Sequence, residues 1–203
     1  MGLIFYVMGK SSSGKDTIYQ DVLSREELKL KPFVMYTTRP IRARETDGVQ
    51  YHFVTEEKLR QMQQEGQVIE LRSYDTVHGI WYYFSAHGEF INLEENDYLA
   101  LGTLESYEKM KQYYGEGRMV PIYIETDDLL RLERSIKREK KQEFPNYDEV
   151  CRRYLADQQD FSEDKIKKAG IEKRFSNNED RQVCMDQVAE YIKQRIGGEA
   201  FGD

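Results

Sequence analysis

An apolar run that ends in a glycine–lysine loop constrains this chain more than any other feature. Leu3-Ile4-Phe5-Tyr6-Val7-Met8 is rich in β-branched and aromatic residues and reads as a buried strand. It runs straight into Gly9-Lys10-Ser11-Ser12-Ser13-Gly14-Lys15-Asp16-Thr17, which fits G-x-x-x-x-G-K between a strand and a helix. Gly9 and Gly14 let the backbone curl with its N–H groups pointing inward, a concavity suited to anions. The positive end of the following helix adds to that field. Residues 9–17 are therefore expected to cradle the phosphates of ATP or GTP, with Lys15 reaching the β- and γ-phosphates. The residue after the lysine is ordinarily Ser or Thr, whose hydroxyl ligates Mg²⁺. Here it is Asp16, with Thr17 next. A carboxylate is a hard oxygen donor, so Asp16 and Thr17 are the expected metal-side residues, holding Mg²⁺ directly or through water.

The totals narrow the class. The chain has 203 residues, enough for one domain with small insertions. A net charge of -7 argues against a globally basic surface, so nucleic acid is not an expected partner. No apolar stretch reaches spanning length, so no membrane partner is expected either. The N-terminus enters a core strand at once, without a charged leader or a cleavage site. Cys151 and Cys184 lie far apart with no metal-ligand spacing, as expected of reduced thiols in a cytoplasmic protein. His52, His78 and His87 are scattered and read as structural or solvent-facing.

Strand and helix patterns alternate along the chain, which predicts an α/β fold with a parallel core sheet. Helices are expected near 15–26, from Thr55 to about Gln64, within 87–95, and from Thr103 to about Tyr114. Others should run from Asp127 to about Lys141, from Asp148 to about Phe161, and from Glu179 to Ile196. Strands are expected at 33–36, 67–74, 81–85, 98–101 and 119–124, with a last short one at Phe175. Pro121 places the first half of its strand at an edge or entry position. Positive charge gathers in Arg39, Arg42 and Arg44 within the irregular segment 37–50, and Gly197-Gly198 should release a disordered tail.

Thr37-Thr38-Arg39-Pro40-Ile41-Arg42, followed by Glu45, Gly48, Tyr51 and Phe53-Val54, resembles the guanylate kinases, which move the γ-phosphoryl of ATP onto GMP. That family shows T-T-R-x-x-R, then an acidic residue, a glycine and Y-x-F-V. The resemblance covers nearly the whole chain. It implies that Arg39, Arg42 and Tyr51 bind the GMP phosphate, in keeping with the bidentate pairing of guanidinium and phosphate. It places Glu70 as the guanine reader, since a carboxylate accepts the N1–H and N2–H₂ that guanine offers side by side. Tyr83-Phe84-Ser85 is similar to the family's Y-G-[ST], which puts Tyr83 on phosphate and Ser85 on the base. Arg134, Arg138 and Arg153 are the implied lid arginines, joining Lys15 and Arg39 in catalysis, and Asn177 is similar to the residue near the adenine ring.

Two family features are replaced. Met35-Tyr36 stands where a base-reading serine precedes T-T-R, and Ala100 and Gly102, with Thr103 nearby, stand where aspartates follow the middle core strand. The resemblance implies a three-layer fold with a core of residues 1–34, 96–133 and 159–198. A small mixed-sheet monophosphate-binding part would span 35–95 and a helical lid 134–158. The expected function is phosphoryl transfer from ATP, with Mg²⁺, to GMP. The alternatives are a different monophosphate or phosphorylated metabolite as acceptor, and a non-catalytic binding module, against which the complete loop argues.

Overall fold

The structure, a computed structural model, describes residues 2–43, 45–76, 79–87 and 91–198. Arg44, His78 and the tail beyond Gly198 lie outside the described residues. The opening apolar run forms strand β1 (Ile4–Met8), every residue of it buried. It is the middle of a five-stranded sheet in the order β2-β7-β1-β8-β9. Its partners are β2 (Lys31–Pro32), β7 (Tyr98–Gly102), β8 (Met119–Glu125) and β9 (Arg174–Ser176). All pairings in this sheet are parallel.

Alternation along β1 builds the layers. Ile4, Tyr6 and Met8 face a core that includes Leu104, Tyr107 and Met110 of α3 (Leu104–Tyr114) and Ile166 of α6 (Glu163–Lys168). Phe5 and Val7 face the other way, onto α1 (Lys15–Ser24) and α7 (Arg181–Ile196). Each such side chain, fully buried, stabilises the fold by about 1.5–3 kcal/mol. The result is helix, parallel sheet, helix, as the alternating pattern predicts. β9 pairs only with Tyr123–Glu125, so Pro121 lies in the half of β8 that β9 does not cover.

A second, four-stranded sheet runs β4-β3-β6-β5 and mixes parallel and antiparallel pairs. Its strands are β3 (Tyr36–Thr37), β4 (His52–Phe53), β5 (Val68–Thr76) and β6 (Gly79–Ala86). Helix α2 (Glu56–Gln64) packs Leu59 and Met62 onto Phe84 and Ala86 of this sheet. Its N-cap is the expected Thr55, whose hydroxyl accepts from Lys58 N at 3.2 Å. Two more helices, α4 (Asp128–Glu139) and α5 (Tyr147–Asp160), stand beside the phosphate loop.

Three expectations change. Of the strand foreseen at 33–36 only Tyr36 lies in one, β3; residues 33–35 link β2 to β3, because the chain crosses from one sheet to the other there, burying Phe33 and Met35 on the way. His87 and residues 91–95 form no helix; the Asn92 side chain accepts from Glu94 N at 3.0 Å, a local turn bond that competes with helix formation. Residues 88–90 of that segment lie outside the described residues. Helix α6 has no counterpart in the sequence reading, being too short to show a periodicity.

Candidate active site

The loop between β1 and α1 is held by tight packing from behind. A Cβ on Gly9 would stand 2.5 Å from the Ile124 carbonyl oxygen, and one on Gly14 2.4 Å from Asn177 Nδ2. Gly14 also sits at φ +90°, in the left-handed region that favours glycine. Ser12 adopts φ +62°, uncommon for a residue with a side chain, and its hydroxyl pairs with Ser135 of α4 at 2.7 Å. Beneath the loop, the Ser13 carbonyl accepts from Asn177 Nδ2 at 2.7 Å and from Thr126 Oγ1 at 3.1 Å. Asn177 is thus a buried support for the loop.

The far side of the loop is gripped by α4 and α5. Arg131, 2% exposed, donates to the Ser11 carbonyl at 2.9 Å, to Asp157 at 3.2 Å and to Asp128 at 2.7 Å, and lies over the Tyr154 ring. Asp157 accepts from Ser11 N at 2.8 Å. Lys10 is turned toward the helices, donating to Gln158 at 2.6 Å and lying 3.5 Å from Asp128. Burial raises the pKa of Asp128, but Arg131, Gln158 and Lys10 outweigh it and bring it to about 2. Neither Arg131 nor Asp157 was singled out from the sequence, where an Arg on a charged helix reads as a solvated face.

Lys15 and Asp16 begin α1, Nζ to Oδ2 at 3.4 Å, and the Asp16 side chain is 74% exposed. Thr17 is exposed beside it. Among the described residues no three His, Cys, Asp or Glu side chains gather into a metal-binding group. One exposed carboxylate and one hydroxyl nevertheless suit Mg²⁺, which keeps several waters and takes its other ligands from phosphate oxygens.

The three arginines expected of a lid divide. Arg134 donates to the Asn177 carbonyl at 3.0 Å behind the loop. Burial, with Arg181 nearby, pulls its pKa down. Arg138 and Arg153 line a cleft of about 480 Å³ that also reaches Ser11 and Asp157. Arg153 is held by Glu149 of its own helix at 2.6 Å.

The small sheet carries the residues expected to hold the monophosphate. Thr37 and Thr38 grip β6: Thr37 Oγ1 donates to the Tyr82 carbonyl at 2.9 Å, and Tyr82 N donates to Thr38 Oγ1 at 3.0 Å. This fixes Arg39, which is buried and forks onto Glu45 at 2.7 and 2.6 Å. Hydrogen bonds from Arg39 draw the Glu45 pKa down to about 2. The Arg39 guanidinium lies 5.4 Å from the Tyr51 ring centre and 5.2 Å from that of Phe53. Tyr83 meets Tyr51 edge-on at 5.5 Å. Arg42 is exposed, and only its backbone N–H reaches Glu45, at 3.0 Å.

Register brings the residues expected on the base side together, since Glu70 lies opposite Ser85, and it sets Arg72 opposite Tyr83. Glu70 Oε1 accepts from Ser85 at 3.0 Å and from Ser106 at 2.9 Å. The loop and the small sheet share one field. Burial raises the Tyr51 pKa most, and the charges of Arg39, Arg72 and the loop's own Asp16 all reach that hydroxyl.

Residues 3–166 match the family model described as guanylate kinase. A guanylate kinase of Caldanaerobacter subterraneus subsp. tengcongensis is 31% identical over 157 residues, covering 75% of this chain and 70% of the relative. The chain belongs to the guanylate kinase family. Guanylate kinases of Mycoplasmoides gallisepticum and Streptococcus agalactiae are 42% and 40% identical over 73 residues, about a third of their length. The structure of a guanylate kinase from Anaplasma phagocytophilum superposes with a TM-score of 0.60 at 20% identity, covering 96% of this chain and 86% of that one, a likeness of fold. As a member of the guanylate kinase family the chain is a phosphotransferase of the nucleoside monophosphate kinase class. No helix among its described residues is long and apolar enough to cross a membrane.

Proposed function

We propose that the chain transfers the γ-phosphoryl of ATP to GMP, giving ADP and GDP, in the cytoplasm. What supports this reading is membership of the guanylate kinase family, together with a complete phosphate loop after β1 and a small sheet that gathers Arg39, Tyr51 and Tyr83 in one group and Glu70 with Ser85 in another. Lys15 and the loop amides hold the donor phosphates. Arg39, Arg42, Tyr51 and Tyr83 hold the acceptor phosphate, one of whose oxygens attacks the γ-phosphorus in line. The bond from that phosphorus to the bridging oxygen breaks, and ADP leaves with the electron pair. Phosphoryl transfer of this kind asks the protein for positioning and charge stabilisation. Mg²⁺, when bound beside Asp16 and Thr17, would neutralise phosphate charge. Arg138 and Arg153, lining the cleft next to Ser11, are the arginines that close on the donor, and Arg134 steadies the loop from behind. In this reading the small sheet, 35–95, is the monophosphate-binding part and 134–158 the lid on a core of 1–34, 96–133 and 159–198.

One observation favours a second reading with another acceptor: Glu70 already accepts from Arg72, Ser85 and Ser106. A panel of nucleoside monophosphates with ATP and Mg²⁺, followed by ADP release, tests both. GMP should be the best acceptor; preference for AMP or a pyrimidine monophosphate supports the second reading.

A further inference from the structure

Arg72 stands two residues beyond Glu70 on β5, so both project from one face of the small sheet. Its side chain folds back onto the carboxylate, Nε to Oε2 at 3.0 Å and NH2 to Oε1 at 3.2 Å. NH1 donates to Thr103 Oγ1 at 3.3 Å, and NH2 approaches Met35 Sδ at 3.9 Å. Thr103 caps α3 and Met35 lies on the crossing between the sheets, so the guanidinium plugs the gap where three segments meet. Its side chain is only 10% exposed. Burial acts against its charge, and Glu70 more than restores it.

A guanidinium has five N–H donors. Here Nε is spent on Glu70, NH2 on Glu70 and a weak sulfur acceptor, and NH1 on one hydroxyl. One hydrogen of NH1 has no acceptor among the described residues, and the sulfur contact yields easily to an oxygen. On the fully buried carboxylate, Ser85, Ser106 and Arg72 NH2 all hold Oε1, and Oε2 has Arg72 Nε as its one donor among the described residues. The ion pair therefore keeps unused capacity at neighbouring atoms, an oxygen with one donor and a guanidinium with one spare hydrogen.

We propose that Arg72 is a specificity-determining residue that reads the acceptor base jointly with Glu70, the guanidinium donating to O6 of guanine while the carboxylate accepts from N1–H and N2–H₂. The inference rests on GMP being the acceptor. Guanine's edge is a carbonyl acceptor flanked by N–H donors, the complement of this pair. Adenine carries an amine where guanine has O6, which sets donor against donor. Arginine is the commonest side-chain partner of guanine O6.

Replacing O6 by sulfur leaves the donor edge of the base in place and removes a good acceptor. Calorimetric titration of the wild-type protein should show GMP binding roughly 10- to 100-fold tighter than 6-thio-GMP. In Arg72→Ala, and in Arg72→Lys, which keeps a charge for Glu70 but loses the fork, that ratio should collapse toward one, with the KM for ATP unchanged. The ratio is taken within one protein, so a general loss of stability does not move it, and should Arg72→Ala fail to fold, the wild-type and lysine ratios decide. A wild-type ratio near one, an unaltered ratio in the folded variants, or tighter GMP binding by Arg72→Ala overturns the inference. GMP phosphorylation accompanied by any of these overturns it alone; absence of GMP phosphorylation by the wild type overturns the assigned reaction as well.

Discussion

The backbone N–H of Ser11, in the phosphate loop, donates to Oδ2 of Asp157 on α5 at 2.8 Å, across 146 positions of sequence. The same oxygen lies 3.2 Å from the buried Arg131, which also holds the Ser11 carbonyl. The loop is thereby fastened to the helices that carry Arg138 and Arg153.

Asp157→Ala should destabilise the fold by about 2–3 kcal/mol, the worth of a hydrogen bond to a charged group together with the cost to the partner left behind. In a chain of this size that lowers Tm by about 4–12 °C. Calorimetric scanning of the parent and variant checks it, and an unchanged Tm would mean that Arg131 is satisfied by Asp128 alone.

Lys15→Ala should abolish transfer while leaving Tm within a degree or two of the parent. The lysine balances phosphate charge that grows in the transition state, an effect worth roughly 3 kcal/mol or more. Turnover measured at saturating GMP and ATP should fall by roughly 100-fold or more on that basis; near-normal turnover would remove the loop from the mechanism.

Asp16 separates by substitution across a Mg²⁺ titration. Asp16→Ser should behave like the parent, because a hydroxyl is the ordinary donor at this position, and Asp16→Ala should need more Mg²⁺ for half-maximal rate. Should both variants track the parent, the role of Asp16 reduces to a favourable charge at the first turn of α1.

Acid should loosen the Arg39 loop in a defined window. Glu45 is held well below its ordinary 4.5, to about 2, chiefly by hydrogen bonds from Arg39. Between those values the unfolded chain binds a proton at Glu45 that the folded chain does not. The stabilisation is therefore complete above about pH 4.5 and lost as pH falls toward 2. Denaturant unfolding of the parent and Glu45→Gln should show a stability gap that narrows through this window; a gap independent of pH would place the stabilisation elsewhere.

The sequence by itself determined the elements whose cause is local. The apolar run of β1, the glycines of the loop and the caps at Thr55 and Thr103 follow from residues a few positions apart. The spacing of Arg39, Arg42, Glu45 and Tyr51 was also legible, because the whole arginine loop folds within one short segment and Glu45 reaches back only six positions to Arg39. Tertiary structure decided the rest. The loss of strand at 33–35 depends on where the second sheet lies, which no local pattern records. Arg131 on a charged helix looks like a solvated residue in sequence, and both it and Arg72 are buried against distant partners. Ser11 with Asp157, Glu70 with Ser106 and Arg72 with Thr103 are 146, 36 and 31 positions apart. Side-chain pairing at such separations leaves no periodicity, because it is set by the packing of whole elements and by the low dielectric that packing creates.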